Sequence, residues 1–316
     1  MISKVAGAYA TMRANLKAGS YGKKDSERRK AVEVKPIKFR PTAAQPFDDR
    51  CLSWQHDART VSIWTVEGRI KNIPFLGKPE HLGLLASSRK GETDLMYVGG
   101  EYHLAATIDK PAPEPLDPVG FIGVDLGIVN IATTSTGQNW SGGAVTEKRK
   151  KDRLLRGKLQ AKGTKSAKRL ARKRARKESR FATDTNHKIS KKIVTEAQRT
   201  GRGITLEKLT GIRDRARLRK PQRVALHTWA FAQLGAFISY KAMAAGVPVL
   251  FVDPAYTSQE CSQPGCGYID RKNRPNQADF VCRKCGTSLG SDDNASRNIR
   301  NRGEGLWAVI SCPHAA

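Results

Sequence analysis

The stretch FIGVDLG, residues 121–127, sets the fold class of the second part of the chain. Its apolar residues form a short, continuous run, which is typical of a β-strand that is buried on both faces. Asp125 lies inside this run. An unpaired carboxylate is costly in such a place, so Asp125 needs a partner, and a metal ion would serve. The stretch therefore predicts a buried strand of an α/β fold that carries an acid in need of a partner.

The residues after this strand alternate between apolar runs and helical patterns. A helical region, 148–200, precedes a predicted strand at GITLEKL, 203–209. A strong helix follows, with Pro221 in its first turn and Gly246 at its C′ position. The predicted order from residue 119 is β-β-β-α-β-α-β, then an insertion and a final helix. The remaining predicted elements are strands at 130–137, 138–145 and 247–253, and a short helix at 292–301 that Ser291 would cap.

The first part of the chain has a different pattern. Residues 1–31 contain a helix-like stretch, Ala8–Lys17, which predicts a partial helical segment. The proline-rich stretch KPAPEPLDP, 110–118, predicts a boundary before a core at 119–253. Residues 32–112 predict a small β-rich module, with alternating strands at 61–66, 95–99 and 102–109.

The chain carries a large excess of positive charge. Its 316 residues include 57 Lys and Arg against 29 Asp and Glu, a net charge of +28. Such an excess is favoured beside a polyanion, whose counterions are released on binding. Neither a membrane span nor a signal peptide is visible. We therefore expect a nucleic-acid-binding protein of the cytoplasm that associates with the nucleoid.

Four of the six cysteines form two pairs, Cys261-x4-Cys266 and Cys282-x2-Cys285. Paired cysteines at this separation are typical of a tetrahedral zinc site. Residues 254–290 therefore predict a zinc ribbon inserted before the last helix. Protein thiolates would fill all four positions around the metal, so its role would be structural. The other two cysteines, 51 and 312, are interpreted as isolated thiols.

Two further acids stand at the ends of predicted elements. Glu207 lies near the end of a buried strand, and Asp292 begins the final helix, two residues before Asn294. Together with Asp125, they could converge on a pair of Mg²⁺ or Mn²⁺ ions about 3.5–4 Å apart. Each also has a simpler explanation, Glu207 as an exposed strand end and Asp292 as a charge that complements the helix dipole. The spacing alone leaves both interpretations open.

The motifs resemble those of the TnpB/OrfB proteins of bacterial insertion sequences, relatives of the type V CRISPR effector nucleases. The stretches FIGVDLGIVNIATTSTG, GITLEKLTGI and DDNASRNI are similar to the three RuvC motifs of the family. YTSQECSQPGCG and VCRKCG resemble its zinc ribbon, and NHKISKKIV resembles the segment before its second motif. The resemblance covers residues 95–301, with all motifs in the family's order.

The resemblance implies a fold and a site. It implies a ribonuclease-H-like (RuvC) core at 119–253, completed by a last helix at 291–302 and a tail at 303–316. It also implies that residues 32–112 form a wedge-like module and that residues 1–31 are part of a recognition lobe. Its catalytic, metal-ligating acids would be Asp125, Glu207 and Asp292, with Asp293 as the spacer beside Asp292.

The resemblance also implies a transposon-encoded, RNA-guided DNA endonuclease. A guide RNA derived from the transposon end would pair with the DNA target, and Mg²⁺ or Mn²⁺ would support phosphodiester hydrolysis. Asp125 would bridge two ions, while Glu207 and Asp292 would hold one each. The run 148–180, with 17 basic residues and two acids, would line a groove along the guide–target duplex. A solvated basic arm is the alternative for this run.

Two features depart from the family's pattern. The first cysteine pair is spaced x4 where the family usually shows x2. About 110 residues precede the first RuvC motif, so the recognition lobe is expected to be shortened. Three alternatives follow: a transposase that joins strands, a non-cleaving RNA-guided DNA-binding protein, and a truncated remnant.

Overall fold

The computed structural model describes residues 2–209 and 231–311. The chain divides into two compact units, Met1–Pro111 and Ala112–Ala316. Two predictions, the helix start at Pro221 and the isolated thiol of Cys312, lie outside the described residues. Within the described ranges, every helix is too short or too polar to cross a membrane.

The first unit begins with two helices. α1 (Ile2–Lys17) covers the predicted helical stretch and extends it towards the N-terminus. α2 (Glu27–Val34) was not predicted, because its segment is strongly polar. It forms because the Ser26 side chain accepts a hydrogen bond from the Arg29 N–H, and Arg29 pairs with Glu33 one turn later.

The rest of the first unit is rich in β-structure. Its elements are β1 (Gln45–Phe47), β2 (Leu52–Gln55), β3 (Thr60–Thr65), β4 (Gly68–Pro74), α3 (Pro79–Ser88), β5 (Arg89–Val98) and β6 (Glu101–Ile108). They form two antiparallel sheets, in the orders β1-β5-β6 and β2-β3-β4. Leu52, Val61 and Ile63 of one sheet share a core with Leu95 and Leu104 of the other. The β-like alternation did not predict α3, which has a proline in its first turn.

The second unit is built on one mixed sheet. Its strands are β7 (Phe121–Asp125), β8 (Asn130–Thr134), β9 (Asn139–Ser141), β10 (Gly203–Glu207) and β11 (Val249–Val252). Their order is β11-β10-β7-β8-β9. β10 is parallel to both of its neighbours, whereas β8 is antiparallel to both of its own. The prediction of an α/β fold is confirmed, with FIGVD at the centre of the sheet.

Helices flank this sheet. α4 (Gly143–Lys162) begins inside the predicted strand 138–145, so the second half of that strand prediction is wrong. α5 (Lys165–Arg199) follows a break at Gly163, where φ is 64°, and Thr164 caps its start. The predicted helical region 148–200 is therefore two helices. α6 (Phe231–Ala244) and α7 (Ser291–Ser311) follow later in the chain.

The two halves of α5 have opposite surroundings. Its second half places Ile189, Ile193 and Ala197 in the core beside Ile122 and Ile204. In contrast, all the basic residues between 148 and 180 except Lys148 and Arg149 are exposed. The charge of this run therefore remains available to a polyanion, while the far end of the helix is anchored.

α7 lies unusually close to the sheet. A Cβ atom on Gly123 would collide with the backbone of Ser296, and one on Gly303 would collide with the side chain of Thr205. The helix continues to Ser311, whereas the sequence predicted a tail from residue 303. Ser291 lies within the helix, and its buried hydroxyl has no hydrogen-bond partner, so the predicted cap does not form.

Candidate active site and cysteine cluster

Two of the predicted acids end neighbouring strands. Asp125 is the last residue of β7, and Glu207 is the last residue of β10. The two strands are parallel, and Leu206 pairs with Val124, so the acids are the next residues along each strand. Side chains at matching positions of parallel strands point to the same face of a sheet. The fold thus brings together two acids that are distant in sequence.

The third acid comes from the first turn of α7. Asp292 is half-buried, and the Asn130 side chain donates a hydrogen bond of 2.8 Å to its Oδ2 atom. Its neighbour Asp293 is exposed. Of these two acids, Asp292 is the one whose charge acts on Asp125, as the register of the third motif predicts.

The three acids interact electrostatically. The pKa of Asp125 is raised to about 8, first by burial and then by the negative charges of Glu207 and Asp292. The positive charge of Arg274 opposes these effects. Among the described residues, the carboxylate oxygens of the three acids do not all lie within 4.8 Å of one another. The three acids are therefore close enough to repel one another, but their oxygens do not form one compact set of ligands for a single metal ion.

Glu207 has a partner of its own. The Thr257 hydroxyl donates a hydrogen bond of 2.6 Å to Glu207 Oε1. Burial raises the pKa of Glu207, while this hydrogen bond and the charge of Arg302 act in the opposite direction. Thr257 lies in the segment 253–260, between β11 and the first cysteine.

The segment 253–260 is held by one face of α7. Asn294, Asn298 and Arg302 are spaced by four residues, so they share that face. Asn298 Nδ2 donates to the carbonyl oxygens of Thr257, at 2.8 Å, and Glu260, at 2.7 Å. The Asn294 side chain bonds the Glu260 carbonyl and the Ser262 N–H, and Arg302 bonds the Asp253 carbonyl and the Glu260 carboxylate. Sequence reasoning missed this set, whose only signal is polar residues repeating every four positions in the helix.

The four predicted cysteines do come together. Their sulfur atoms all lie within 4.8 Å of one another, with Cys261 and Cys285 at 3.6 Å and Cys266 and Cys282 at 3.7 Å. Metal–sulfur bonds of about 2.3 Å at tetrahedral angles place sulfurs about 3.8 Å apart. The cluster could therefore bind zinc, and the x4 spacing does not prevent this. Cys51 is a free, half-buried thiol.

The thiols of the cluster differ in acidity. Hydrogen bonds from the Thr287 side chain and backbone lower the pKa of Cys285 to about 6. Burial raises the pKa of Cys261 to about 12. A metal ion would therefore find one thiolate ready and would have to displace the proton of the buried thiol.

The cysteine segment, residues 254–290, also places the positively charged side chain of Arg274 near the acidic site. It contains the 3₁₀ turn Arg271–Asn273 and the antiparallel strands β12 (Asp279–Val281) and β13 (Ser288–Gly290). Arg274 follows the turn and donates a hydrogen bond of 2.9 Å to the Gln277 carbonyl. Its positive charge lowers the pKa of Asp125, against the larger effects of burial and the neighbouring acids. In the sequence, Arg274 is one of several basic residues of this segment, and nothing there sets it apart.

Two family models match the chain. Residues 103–210 match OrfB_IS605, described as a probable transposase, and residues 231–299 match the Cas12f1-like TNB domain. The chain is a relative of the TnpB/OrfB proteins. The two matches include the elements that carry Asp125, Glu207, Asp292 and the cysteine cluster, so the resemblance found in the motifs is confirmed.

Curated relatives extend this relationship to Cas12f. A CRISPR-associated endodeoxyribonuclease Cas12f1 of Sulfoacidibacillus thermotolerans is 45% identical over 120 residues, which are 38% of this chain and 26% of that protein. A TnpB-like protein of Methanocaldococcus jannaschii is 34% identical over 144 residues, 45% of this chain and 50% of that protein. The chain thus aligns with between a quarter and a half of the length of these two relatives.

A solved structure shows the same fold. The chain resembles Cas12f1 in a complex with its single guide RNA and target DNA, with a TM-score of 0.55 and 18% sequence identity. The similarity covers 72% of this chain and 49% of that one. The mixed α/β fold is therefore similar to that of Cas12f effectors.

Proposed function

We propose that this chain is a transposon-encoded, RNA-guided DNA endonuclease that hydrolyses phosphodiester bonds. The observation that carries the proposal is the position of Asp125, whose pKa is raised by burial and then by the charges of Glu207 and Asp292. Strongly perturbed acids in such a cluster are typical of catalytic sites. The relationship to proteins named endodeoxyribonucleases supports the same class of reaction.

The sheet supports a ribonuclease-H-like (RuvC) core. Its central strand, β7, ends in an acid and is antiparallel to β8, beyond which lies β9. On its other side are β10 and β11, both parallel to it. The carboxyl ends of β7 and β10 and the start of α7 form one edge. Substrates of open α/β sheets bind at such an edge.

The acidic site would hold two divalent cations. Its donors are carboxylate oxygens, which Mg²⁺ and Mn²⁺ prefer. In two-metal sites, carboxylates from separate elements share two ions about 3.5–4 Å apart. Asp125, between the other two, would bridge both ions, and Glu207 and Asp292 would hold one each. When bound, the cations supply an activated water and offset charge on the scissile phosphate.

The chain's own residues prepare this site. Asn130 and Thr257 orient Asp292 and Glu207 by hydrogen bonds, and Arg274 places a positive charge near Asp125. A guanidinium there can pair with a phosphate oxygen of the DNA. The cysteine segment would act as a zinc ribbon that fixes Arg274. Its zinc would take no part in the chemistry, because four thiolates leave no open position on the metal.

The exposed basic run on α4 and α5 supports nucleic-acid binding. A helix with cations on most faces cannot enter a core, but it can follow the backbone of a guide–target duplex. We infer that a guide RNA from the transposon end pairs with the target DNA along this surface. Residues 32–112 would act as a wedge-like module and residues 1–31 as part of a recognition lobe.

A cleavage assay tests the proposal. The full chain is co-expressed with the transposon-end RNA, purified, and mixed with guide-matched duplex DNA and Mg²⁺. We expect cutting that Asp125→Ala abolishes and that the matched control Asp293→Ala retains. Undiminished cutting by the Asp125 variant would show that the acids are not catalytic. Matched DNA that is bound but never nicked would favour the non-cleaving alternative, and joined transposon ends would favour a transposase.

A further inference from the structure

The segment 253–260 reaches back to the acidic site through a single hydroxyl group. Thr257 Oγ1 lies 2.6 Å from Glu207 Oε1 and 3.2 Å from the Pro254 carbonyl. A hydroxyl has one proton to donate, and the shorter contact to the group that can carry charge is the stronger one. Thr257 is only 4% exposed, so water does not compete freely for this proton.

The backbone around Thr257 is fixed independently of Glu207. Asn298, 3% exposed, donates to the carbonyl of Thr257 itself, and the fully buried Asn294 donates to the carbonyl of Glu260. Both asparagines belong to α7, the helix that also carries Asp292. The hydroxyl of Thr257 is therefore held in place by the same rigid element that supplies another acid of the site.

We propose that Thr257 is a positioning residue that fixes Glu207 for cation binding. Its hydroxyl donates to Oε1 of the carboxylate, and a metal ion would bind through Oε2. Without it, Glu207 would sample several rotamers, and each binding event would have to restrain them again. This inference rests on the proposed function, because it assumes that Glu207 is a metal ligand.

Three variants of the full chain separate the hydroxyl from its surroundings. Thr257→Val keeps the shape of the side chain and removes the donor, whereas Thr257→Ser keeps the donor. Thr200→Val is the matched control, because the Thr200 hydroxyl bonds the Glu196 carbonyl at the end of α5, before β10 begins and away from its acidic end. The probe is Mn²⁺ alone, measured as the free ion by electron paramagnetic resonance in zinc-loaded protein without nucleic acid.

We expect Thr257→Val to weaken Mn²⁺ binding by about tenfold to a hundredfold, as is typical when a hydrogen-bond partner of a metal ligand is lost. Thr257→Ser should restore binding to within about threefold, and Thr200→Val should bind like the unchanged chain. In the cleavage assay, the half-saturating Mn²⁺ concentration of Thr257→Val should rise more than its maximal rate falls.

Several outcomes overturn the inference. Unchanged Mn²⁺ binding by Thr257→Val would show that the hydroxyl does not position Glu207. Equal losses in the Ser and Val variants would assign the effect to packing of the methyl group instead. If Thr257→Val melts too early to titrate, Thr257→Ala, which makes room for water, is compared with Thr257→Ser in the same way. Failure of the unchanged chain to bind Mn²⁺, or binding that Asp125→Ala does not weaken, would instead refute the proposed function and this inference with it.

Discussion

The acidic site and the cysteine cluster are assembled in different ways. The four cysteines come from one stretch of 25 residues, and their sulfurs already lie at tetrahedral separations. The three acids come from two strands and a helix, repel one another and depend on neighbours for their orientation. The cysteine cluster is built from residues that are close in sequence, whereas the acidic site is assembled from elements that are distant in sequence. The difference shows which site a mutation elsewhere in the fold can damage.

The largest effect should come from removing one of the four cysteines. Cys282→Ser removes a buried ligand, so zinc should fall from about one ion per chain to almost none, and the cysteine segment should unfold, since zinc contributes about 10–16 kcal/mol to such small domains. Metal content by mass spectrometry and circular dichroism would show this. DNA cleavage should fail as well, because the segment 253–260 leads directly into Cys261.

Cys51→Ser is the matched control for that experiment. Its thiol lies in the first unit, outside the cluster, so the variant should keep its zinc and its activity. Zinc retention by Cys282→Ser would contradict a four-thiolate site. Cleavage that survives zinc loss would show that the acidic site is independent of the cysteine segment.

A smaller effect should come from moving α7 away from the sheet. Gly303→Ala places a methyl group against the Thr205 side chain, and overpacking of this kind costs about 1–3 kcal/mol of unfolding free energy. Since α7 carries Asp292 and Asn298, cleavage should fall in parallel. Urea unfolding measures the loss of stability, and a separate cleavage assay on folded protein measures the loss of activity. Gly305→Ala, where an added Cβ meets open space in the same helix, should leave cleavage intact and raise stability slightly. Equal effects of the two substitutions would refute the close contact.

The last comparison concerns the pH dependence of stability without Mg²⁺ or Mn²⁺. The folded pKa of Asp125, about 8, is far above the ordinary value, so between about pH 4 and 8 the folded protein holds a proton that the unfolded chain releases. The contribution of Asp125 to the free energy of unfolding therefore falls as pH rises through that window, by less than about 1.4 kcal/mol per pH unit.

Asp125→Asn cannot ionise, so its unfolding free energy should fall less steeply over the same range. Chemical denaturation of zinc-loaded protein at several pH values measures both slopes. Identical slopes for the variant and the unchanged chain would mean that Asp125 is charged throughout, and the repulsion in the acidic site would then be smaller than the structure indicates.

The sequence predicted those features whose cause is local. FIGVD is a buried strand because its own residues are apolar, and the cysteine pairs are close because turns bring them together. Asp125, Glu207 and Asp292 were proposed as partners only because motif order supplied what spacing could not. Neither the boundary of the last helix nor α3 followed from periodicity.

The features that sequence could not predict depend on contacts between distant elements. Thr257 and Asn298 are ordinary polar residues until the fold places them beside Glu207 and the segment 253–260. Gly303 lies inside the last helix although glycine disfavours helices, because the contact with Thr205 leaves no room for a side chain there. Arg274 was one cation among many until the fold set it near Asp125.

The length of α5 has a mechanical consequence. Its 35 residues contain neither glycine nor proline and span about 50 Å at the usual rise per residue. One end presents cations to the surroundings, and the other abuts β10, the strand that ends in Glu207. A continuous helix without a glycine or proline is stiff, so a displacement of its charged end is expected to move its buried end as well. Binding of a polyanion at the basic end of α5 would therefore also affect β10, the strand that ends in Glu207.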